Sequence, residues 1–294
     1  MAFESIQWFP GHMAKTRRMI AENLKNVDLV IEILDARIPY SSRNPEISRL
    51  TVGKPTLLLL NKASLADPEQ SKLWIDRLSG ADTLPILTDC LTGEGMNRLE
   101  PSVKKILSEK LERYSEKGMS GRRVRAMVLG IPNVGKSSLI NRVSGNKKTR
   151  VEDRPGVTRD KQWVSTGIGV DLLDMPGILW PKFEEKRVGE NLALTGAIKD
   201  DILDTEGLAV LLCDRLKTDY PKQLLARYKL SDADLELPAP DLFLKIGRKR
   251  GFLVSGGEID TERTAAVLLD EFRAAKIGRI TLDKITFEGD STCV

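Results

Sequence analysis

One segment limits the folds open to this 294-residue chain more than any other. Gly130-Ile131-Pro132-Asn133-Val134-Gly135-Lys136-Ser137 matches the spacing Gly-x-x-x-x-Gly-Lys-Ser. It lies between the apolar run Ala126-Met127-Val128-Leu129 and helix-forming residues from Lys136 to about Val143. In a strand-loop-helix context the glycines let backbone N–H groups turn inward around a β-phosphate, and the helix N-terminus adds partial positive charge. Val134, Gly135 and Ser138 belong to that cradle. Lys136 neutralises the β- and γ-phosphates and so counts as catalytic as well as binding, while the Ser137 hydroxyl is placed to bind Mg²⁺. The competing reading, a chance glycine-rich turn, leaves the strand before it and the helix after it unexplained.

A metal-bound triphosphate needs a second metal-side carboxylate and a sensor for the γ-phosphate. Val164 to Leu173 alternates as one or two strands and ends at Asp174-Met175-Pro176-Gly177, which offers Asp174 to Mg²⁺ and the Gly177 amide to the γ-phosphate. Arg154-Pro155-Gly156-Val157-Thr158 offers a loop whose Thr158 hydroxyl can reach the metal. Either segment alone reads as an ordinary turn. Their order and spacing after the phosphate loop join them to it.

Upstream, Val27 to Leu34 reads as a buried strand broken by Asp35-Ala36-Arg37-Ile38-Pro39. Thr56 to Leu60 is a second strand running into Asn61-Lys62, and Thr83 to Leu87 a weaker third, followed by a helical stretch from about Asn97 to Lys117. Strands alternating with helices predict a mainly parallel sheet with helices on both faces. Ser115 to Arg125 reads as an exposed connection between two halves of it. From about Phe183 the apolar spacing is helical, through Leu192, Leu208, Leu224, Leu268 and Phe272. The expected organisation is an α/β domain over residues 1–182 and a small all-helical domain over 183–294.

GTPases read guanine with Asn-Lys-x-Asp after a strand that normally lies downstream of the phosphate loop. Here Asn61 and Lys62 lie upstream, and Thr88-Asp89-Cys90 stands where the second base loop belongs. Each element still falls at the carboxyl end of a parallel strand, where such folds bind ligands. The rotated order predicts a circularly permuted P-loop GTPase domain.

Composition excludes little but is consistent. The longest apolar run, Thr56 to Leu60, is too short to cross a bilayer, and Met1 to Ser5 lacks the basic-then-apolar pattern of a secretory signal. Cys90, Cys213 and Cys293 are distant and odd in number, which argues for reduced thiols and a cytoplasmic protein that contacts no membrane. Net charge is +4, yet residues 101–150 hold thirteen Lys and Arg against three Glu. That concentration suits a polyanion such as RNA, although a solvated helix and a phosphate-binding lysine account for part of it. Arg248-Lys249-Arg250 is a second basic run.

The chain resembles the ribosome biogenesis GTPase A family. The resemblance is carried by Trp8-Phe9-Pro10-Gly11-His12-Met13-Ala14-Lys15, Asp35-Ala36-Arg37-Ile38-Pro39, residues 130–137 and Asp174-Met175-Pro176-Gly177-Ile178-Leu179-Trp180-Pro181. It continues through Thr195-Gly196-Ala197-Ile198-Lys199-Asp200 and Ser255-Gly256-Gly257, so it spans nearly the whole chain. It implies a GTPase that binds GTP and GDP, joins the large (50S) ribosomal subunit late in assembly, is stimulated by it, and then leaves. The helical domain is then the part that touches rRNA and ribosomal proteins, the free protein is a monomer, and K⁺ is held partly by the asparagine matching Asn133.

Two departures bear on chemistry. The base motif reads Asn61-Lys62-Ala63-Ser64, with serine where the family has aspartate. Charge-assisted hydrogen bonds to guanine would be lost, so guanine selectivity should weaken. Asp67 is a substitute if the loop reshapes; Ser64 also reads as a simple helix cap. Asn61 can still contact the base edge, and the Lys62 stem can pack across the ring. Ile178 follows Gly177 where GTPases usually carry a water-orienting glutamine, a departure shared with the family. The lone histidine, His12, would ordinarily be structural, but it matches the family's proposed catalytic residue. Besides a GTP hydrolase, two readings stay open: an RNA-binding assembly factor using nucleotide as a conformational ligand, and a purine-tolerant NTPase.

Overall fold

The computed structural model describes residues 10–119, 121–144, 162–180 and 183–286, with side chains from residue 14 onward. The first part of the chain runs α1 (Pro10–Leu24), β1 (Leu29–Asp35), α2 (Pro45–Leu50), β2 (Thr56–Asn61), α3 (Pro68–Leu78) and β3 (Thr83–Leu87). It continues through α4 (Leu99–Ile106), α5 (Ser108–Glu116), β4 (Val124–Leu129), α6 (Lys136–Ser144), β5 (Gln162–Ser165) and β6 (Val170–Asp174). Helices α7 (Lys186–Leu194), α8 (Thr205–Asp219), α9 (Pro221–Tyr228), α10 (Ala239–Lys249) and α11 (Thr261–Arg273) follow.

The strands form one six-stranded sheet in the order β3-β2-β1-β4-β6-β5, parallel throughout except for the antiparallel edge strand β5. Every residue of β1 and β2 is buried, which is why both read as unbroken apolar runs rather than alternating ones. From β1 the chain steps outward through β2 to β3, then returns to place β4 against the other side of β1. The connections therefore reverse direction between β1 and β4, and a crevice outside the carboxyl ends of the strands is the expected ligand position.

The single helix predicted over 97–117 is two helices. Buried Leu107 leaves helical geometry at φ −107°, ψ 13°. The turn brings α5 against the sheet, where Lys110 Nζ lies 2.7 Å from Asp28 Oδ1 and the Tyr114 hydroxyl donates to the same oxygen at 3.0 Å. Part of the basic stretch thus has structural work: Arg123 pairs with Asp171 at 2.8 Å, and Arg142 donates to the Cys90 and Leu91 carbonyls.

Helices α8, α10 and α11 pack together around Leu212, Leu216, Leu242, Ile246, Leu268 and Phe272, and the same apolar core continues into the sheet. Asp204 and Asp260 cap α8 and α11 by accepting from Gly207 N (2.9 Å) and Arg263 N (3.0 Å). The chain after α11 leaves the helices and lies on the α/β part. Ile280 N donates to Leu65 O at 3.1 Å, Leu282 N to Arg37 O at 2.8 Å, and Trp74 Nε1 to Asp283 O at 2.7 Å. Among the described residues no helix is long and apolar enough to cross a membrane.

Candidate nucleotide site

The phosphate loop leaves β4 at Gly130, whose φ of +149° suits glycine; a Cβ there would lie 2.6 Å from the Ile33 carbonyl of β1. Gly135, at φ +105°, would put a Cβ 2.3 Å from Asn61 Nδ2. Lys136 opens α6 and is buried, its Nζ donating to the loop carbonyls of Gly130 (3.1 Å) and Ile131 (2.7 Å). Burial pushes the Lys136 ammonium down to about 8, with Asp174 opposing. Asp174 ends β6, and burial pushes its carboxyl up to about 6 against the pull of Lys136 and the Met175 N–H. Its Oδ1 is buried with no hydrogen-bond partner among the described residues. Gly177 closes against the loop: a Cβ there would lie 2.8 Å from Lys136 Nζ and 3.0 Å from Pro132 N.

On the other flank Asn61 ties two loops together. Its Nδ2 donates to Val134 O at 2.6 Å and its Oδ1 accepts from Cys90 N at 2.8 Å. Lys62 adopts a left-handed conformation (φ +61°) and its Nζ lies 2.9 Å from Asp35 Oδ2. Arg37, 2% exposed, grips the same carboxylate through Nε (2.9 Å) and Nη2 (2.7 Å). Burial alone would raise the Asp35 carboxyl, but Arg37 and Lys62 outweigh it and hold it well below the carboxylate range. The Ser64 hydroxyl donates to Asp89 Oδ2, and Asp89 Oδ1 accepts from Leu91 N (2.8 Å) and Thr92 N (2.9 Å).

Between the two flanks lies a cleft of about 1020 Å³, lined by Asn61, Lys62, Ser64, Asp89 and Cys90 on one side and Asn133, Gly135, Lys136, Ser137, Ser138 and Gly177 on the other. Among the described residues, three expected site residues are not part of its lining: the carboxylate Asp174, which is 1% exposed, and two binding residues behind the wall. Thr88 is fully buried, its backbone paired with Leu60 O and Ala63 N, and Val134 is 1% exposed with its carbonyl facing Asn61. Asp67 is not a substitute base reader. It caps α3 by accepting from Glu69 N (2.9 Å) and takes the Tyr220 hydroxyl at 3.1 Å, so its carboxylate is committed away from the cleft. For the same reason Ser64 is not the cap of α3. The Thr158 loop lies outside the described residues, as does the His12 side chain, whose backbone is in the first turn of α1.

The helical region supplies the cleft's third wall, through Thr195, Gly196, Lys199, Asp200, Arg273 and Lys276, which no motif in the sequence marks as part of the site. Asn133, left-handed at φ +60°, donates from Nδ2 to Gly196 O at 2.8 Å. Arg37 reaches the Arg273 carbonyl at 3.3 Å, and Arg273 pairs with Asp200 at 2.6 Å. The only sequence signal was the run Thr195 to Asp200, which carried the resemblance but no chemistry of its own.

A phosphate loop, a facing strand-end carboxylate and two base-side loops at the switch point of an α/β sheet define a P-loop GTPase. Residues 125–235 match the family described as 50S ribosome-binding GTPase. Ribosome biogenesis GTPase A of Priestia megaterium is 48% identical over 280 residues, covering 95% of this chain and 96% of that protein. Mitochondrial ribosome-associated GTPase 1 of Mus musculus is 34% identical, covering 95% and 90%. The solved structure of GNP-bound YlqF from T. maritima is similar at a TM-score of 0.57 and 26% identity, over 92% of this chain and 100% of that one. This chain belongs to the ribosome biogenesis GTPase A family and is a GTPase of ribosome assembly.

Proposed function

We propose that the chain is a cytoplasmic, monomeric factor that binds GTP and Mg²⁺ in this cleft and joins the large ribosomal subunit late in assembly. It hydrolyses GTP there under the subunit's stimulation and then leaves. The observation that carries the reading is the meeting of Lys136 and Gly177 at the mouth of the phosphate loop, with Asp174 buried within reach of the Lys136 charge and the Ser64–Asp89 loops across the same cleft. Lys136 holds the β- and γ-phosphates, the Gly177 N–H faces the γ-phosphate, and Asn61 keeps the base loop in register with the phosphate loop. The buried Oδ1 of Asp174, without a hydrogen-bond partner among the described residues, fits a divalent cation, which Ser137 and Thr158 would complete. When bound, Mg²⁺ offsets charge on the phosphoryl oxygens. Asn133, whose amide nitrogen donates to Gly196 O, would help to hold K⁺. Residues 1–182 form the GTPase unit, and 183–294 the unit that meets rRNA and ribosomal proteins.

Ile178 is buried and cannot orient a water molecule. The reading assigns that role to His12, delivered on the particle. GTP turnover measured with and without purified large subunits, in K⁺ and in Na⁺, tests the whole account. Turnover should rise on the subunit and be greater in K⁺, and His12→Ala should abolish the rise while leaving nucleotide affinity unchanged. Stimulated turnover in His12→Ala would remove His12 from the reaction, and equal turnover with and without subunits would remove the ribosomal trigger.

A further inference from the structure

Ser64 stands where a carboxylate was expected, and the structure shows what stands beside it. The Ser64 hydroxyl points its proton at Asp89 Oδ2, from a loop that follows a different strand. Asp89 is 3% exposed, and its other oxygen is taken by the N–H groups of Leu91 and Thr92. A serine hydroxyl has one proton and two lone pairs, and an ionised carboxylate only accepts. Burial would raise the Asp89 carboxyl, but the Ser64 hydroxyl and the backbone N–H groups of Thr92, Leu91 and Ser64 hold it below its ordinary range, so it stays ionised at neutral pH. The proton of Ser64 is therefore committed to Asp89, and what Ser64 Oγ turns to the cleft is a pair of acceptor lone pairs.

We propose that Ser64 and Asp89 act as one unit that reads the purine of the bound nucleoside triphosphate, Ser64 Oγ accepting from the guanine N–H edge while Asp89 fixes its proton. This rests on the cleft binding a nucleotide as described above, and it replaces the expectation of weakened guanine selectivity. Guanine offers N1–H and N2–H₂ donors on one edge, whereas adenine offers N1 as an acceptor there. Lone pairs would then face lone pairs, so the pair rejects adenine as well as welcoming guanine. The turn carrying Ser64 is held from behind, as this role requires. Arg279 donates to Ala63 O (2.7 Å) and Ala66 O (2.8 Å), and Ile280 N donates to Leu65 O.

The experiment is competition of GTP and ATP, each with Mg²⁺, against a fluorescent GDP analogue on the full chain, for the parent, Ser64→Ala, Asp89→Asn and the double variant. The amide introduced by Asp89→Asn keeps an acceptor for Leu91 N and Thr92 N and can donate a proton to Ser64 Oγ, which frees the hydroxyl proton to face the base; thermal melting checks that the turn holds. The parent should favour GTP over ATP by at least about tenfold, and each single variant should lower that ratio by about tenfold, chiefly by tighter ATP binding in Asp89→Asn. The double variant should lose no more than either single one, because the two residues act together. A parent that binds ATP and GTP equally, or an Asp89→Asn protein with the parent's ratio, overturns the proposal while leaving triphosphate binding intact. Failure of every nucleotide to compete would instead sink the assignment of the cleft.

Discussion

The Asn61 side chain is the tie between the two loops that flank the cleft, and removing it should cost measurable stability. Asn61→Ala deletes two buried hydrogen bonds, 2.6 Å to Val134 O and 2.8 Å from Cys90 N, and leaves two backbone groups stranded in residues that are 1% and 4% exposed. Each unsatisfied buried group costs about 1–3 kcal/mol, so the sum is about 2–6 kcal/mol. In a chain of 294 residues that lowers the melting temperature by about 3–10 °C. The phosphate and base loops also lose their common register, so GTP affinity should fall about tenfold or more. Urea unfolding and fluorescent-nucleotide titration read the two effects separately. Asn61→Asp adds a sharper test: it keeps the acceptor for Cys90 N but turns a second oxygen on Val134 O. Its deficit should shrink as pH falls and the acid regains a proton to donate, whereas that of Asn61→Ala should not. A stability loss below about 1 kcal/mol in Asn61→Ala would refute the reasoning.

Glu32, buried in β1 with Arg43 Nε 4.0 Å away, is pushed up to about 7 by burial, which Arg43 opposes only in part. Folding therefore retains a proton that the unfolded chain releases near pH 4.5, so this group favours folding at low pH and that benefit is lost as pH rises through 7. Glu32→Gln should raise stability at pH 8 by about 3 kcal/mol and flatten the melting-temperature profile between about pH 4.5 and 7; an unchanged profile would show that the charge is compensated. Asp35→Ala leaves the 2%-exposed Arg37 guanidinium without its carboxylate and should cost about 3–5 kcal/mol by denaturant unfolding, with Asp35→Ala/Arg37→Met recovering much of it. Gly135→Ala drives a Cβ into Asn61 and should weaken GTP binding about tenfold, while Gly53→Ala, at φ +75° in open space, should cost about 1 kcal/mol of stability and no nucleotide affinity.

What the linear chain determined was local chemistry and the elements that carry it. The phosphate loop, the strands Thr56 to Asn61 and Thr83 to Leu87, and the start of the helical region were all legible, because glycine spacing and apolar runs are set by neighbours in sequence. The break at Leu107 was not, since it arises from α5 turning to meet Asp28 across the sheet. Nor was the fate of the carboxylates near the base loop. By sequence Asp67 is a substitute for the missing base-reading carboxylate and Asp89 belongs to the second base loop, and only the folded chain assigns one to the cap of α3 and the other to the Ser64 hydroxyl. The third wall of the cleft joins Asn133 to Gly196, 63 residues on, and Arg37 to Arg273, 236 residues on, and the return of residues 280–283 onto the α/β part pairs Ile280 with Leu65. Such contacts leave no periodic trace in sequence, because hydrogen bonds between distant segments depend on where packing brings them and not on what precedes or follows them along the chain. The phosphate side of the site is thus written in one octapeptide, while the base side exists only once two strands, a helix cap and the C-terminal segment have been folded around it.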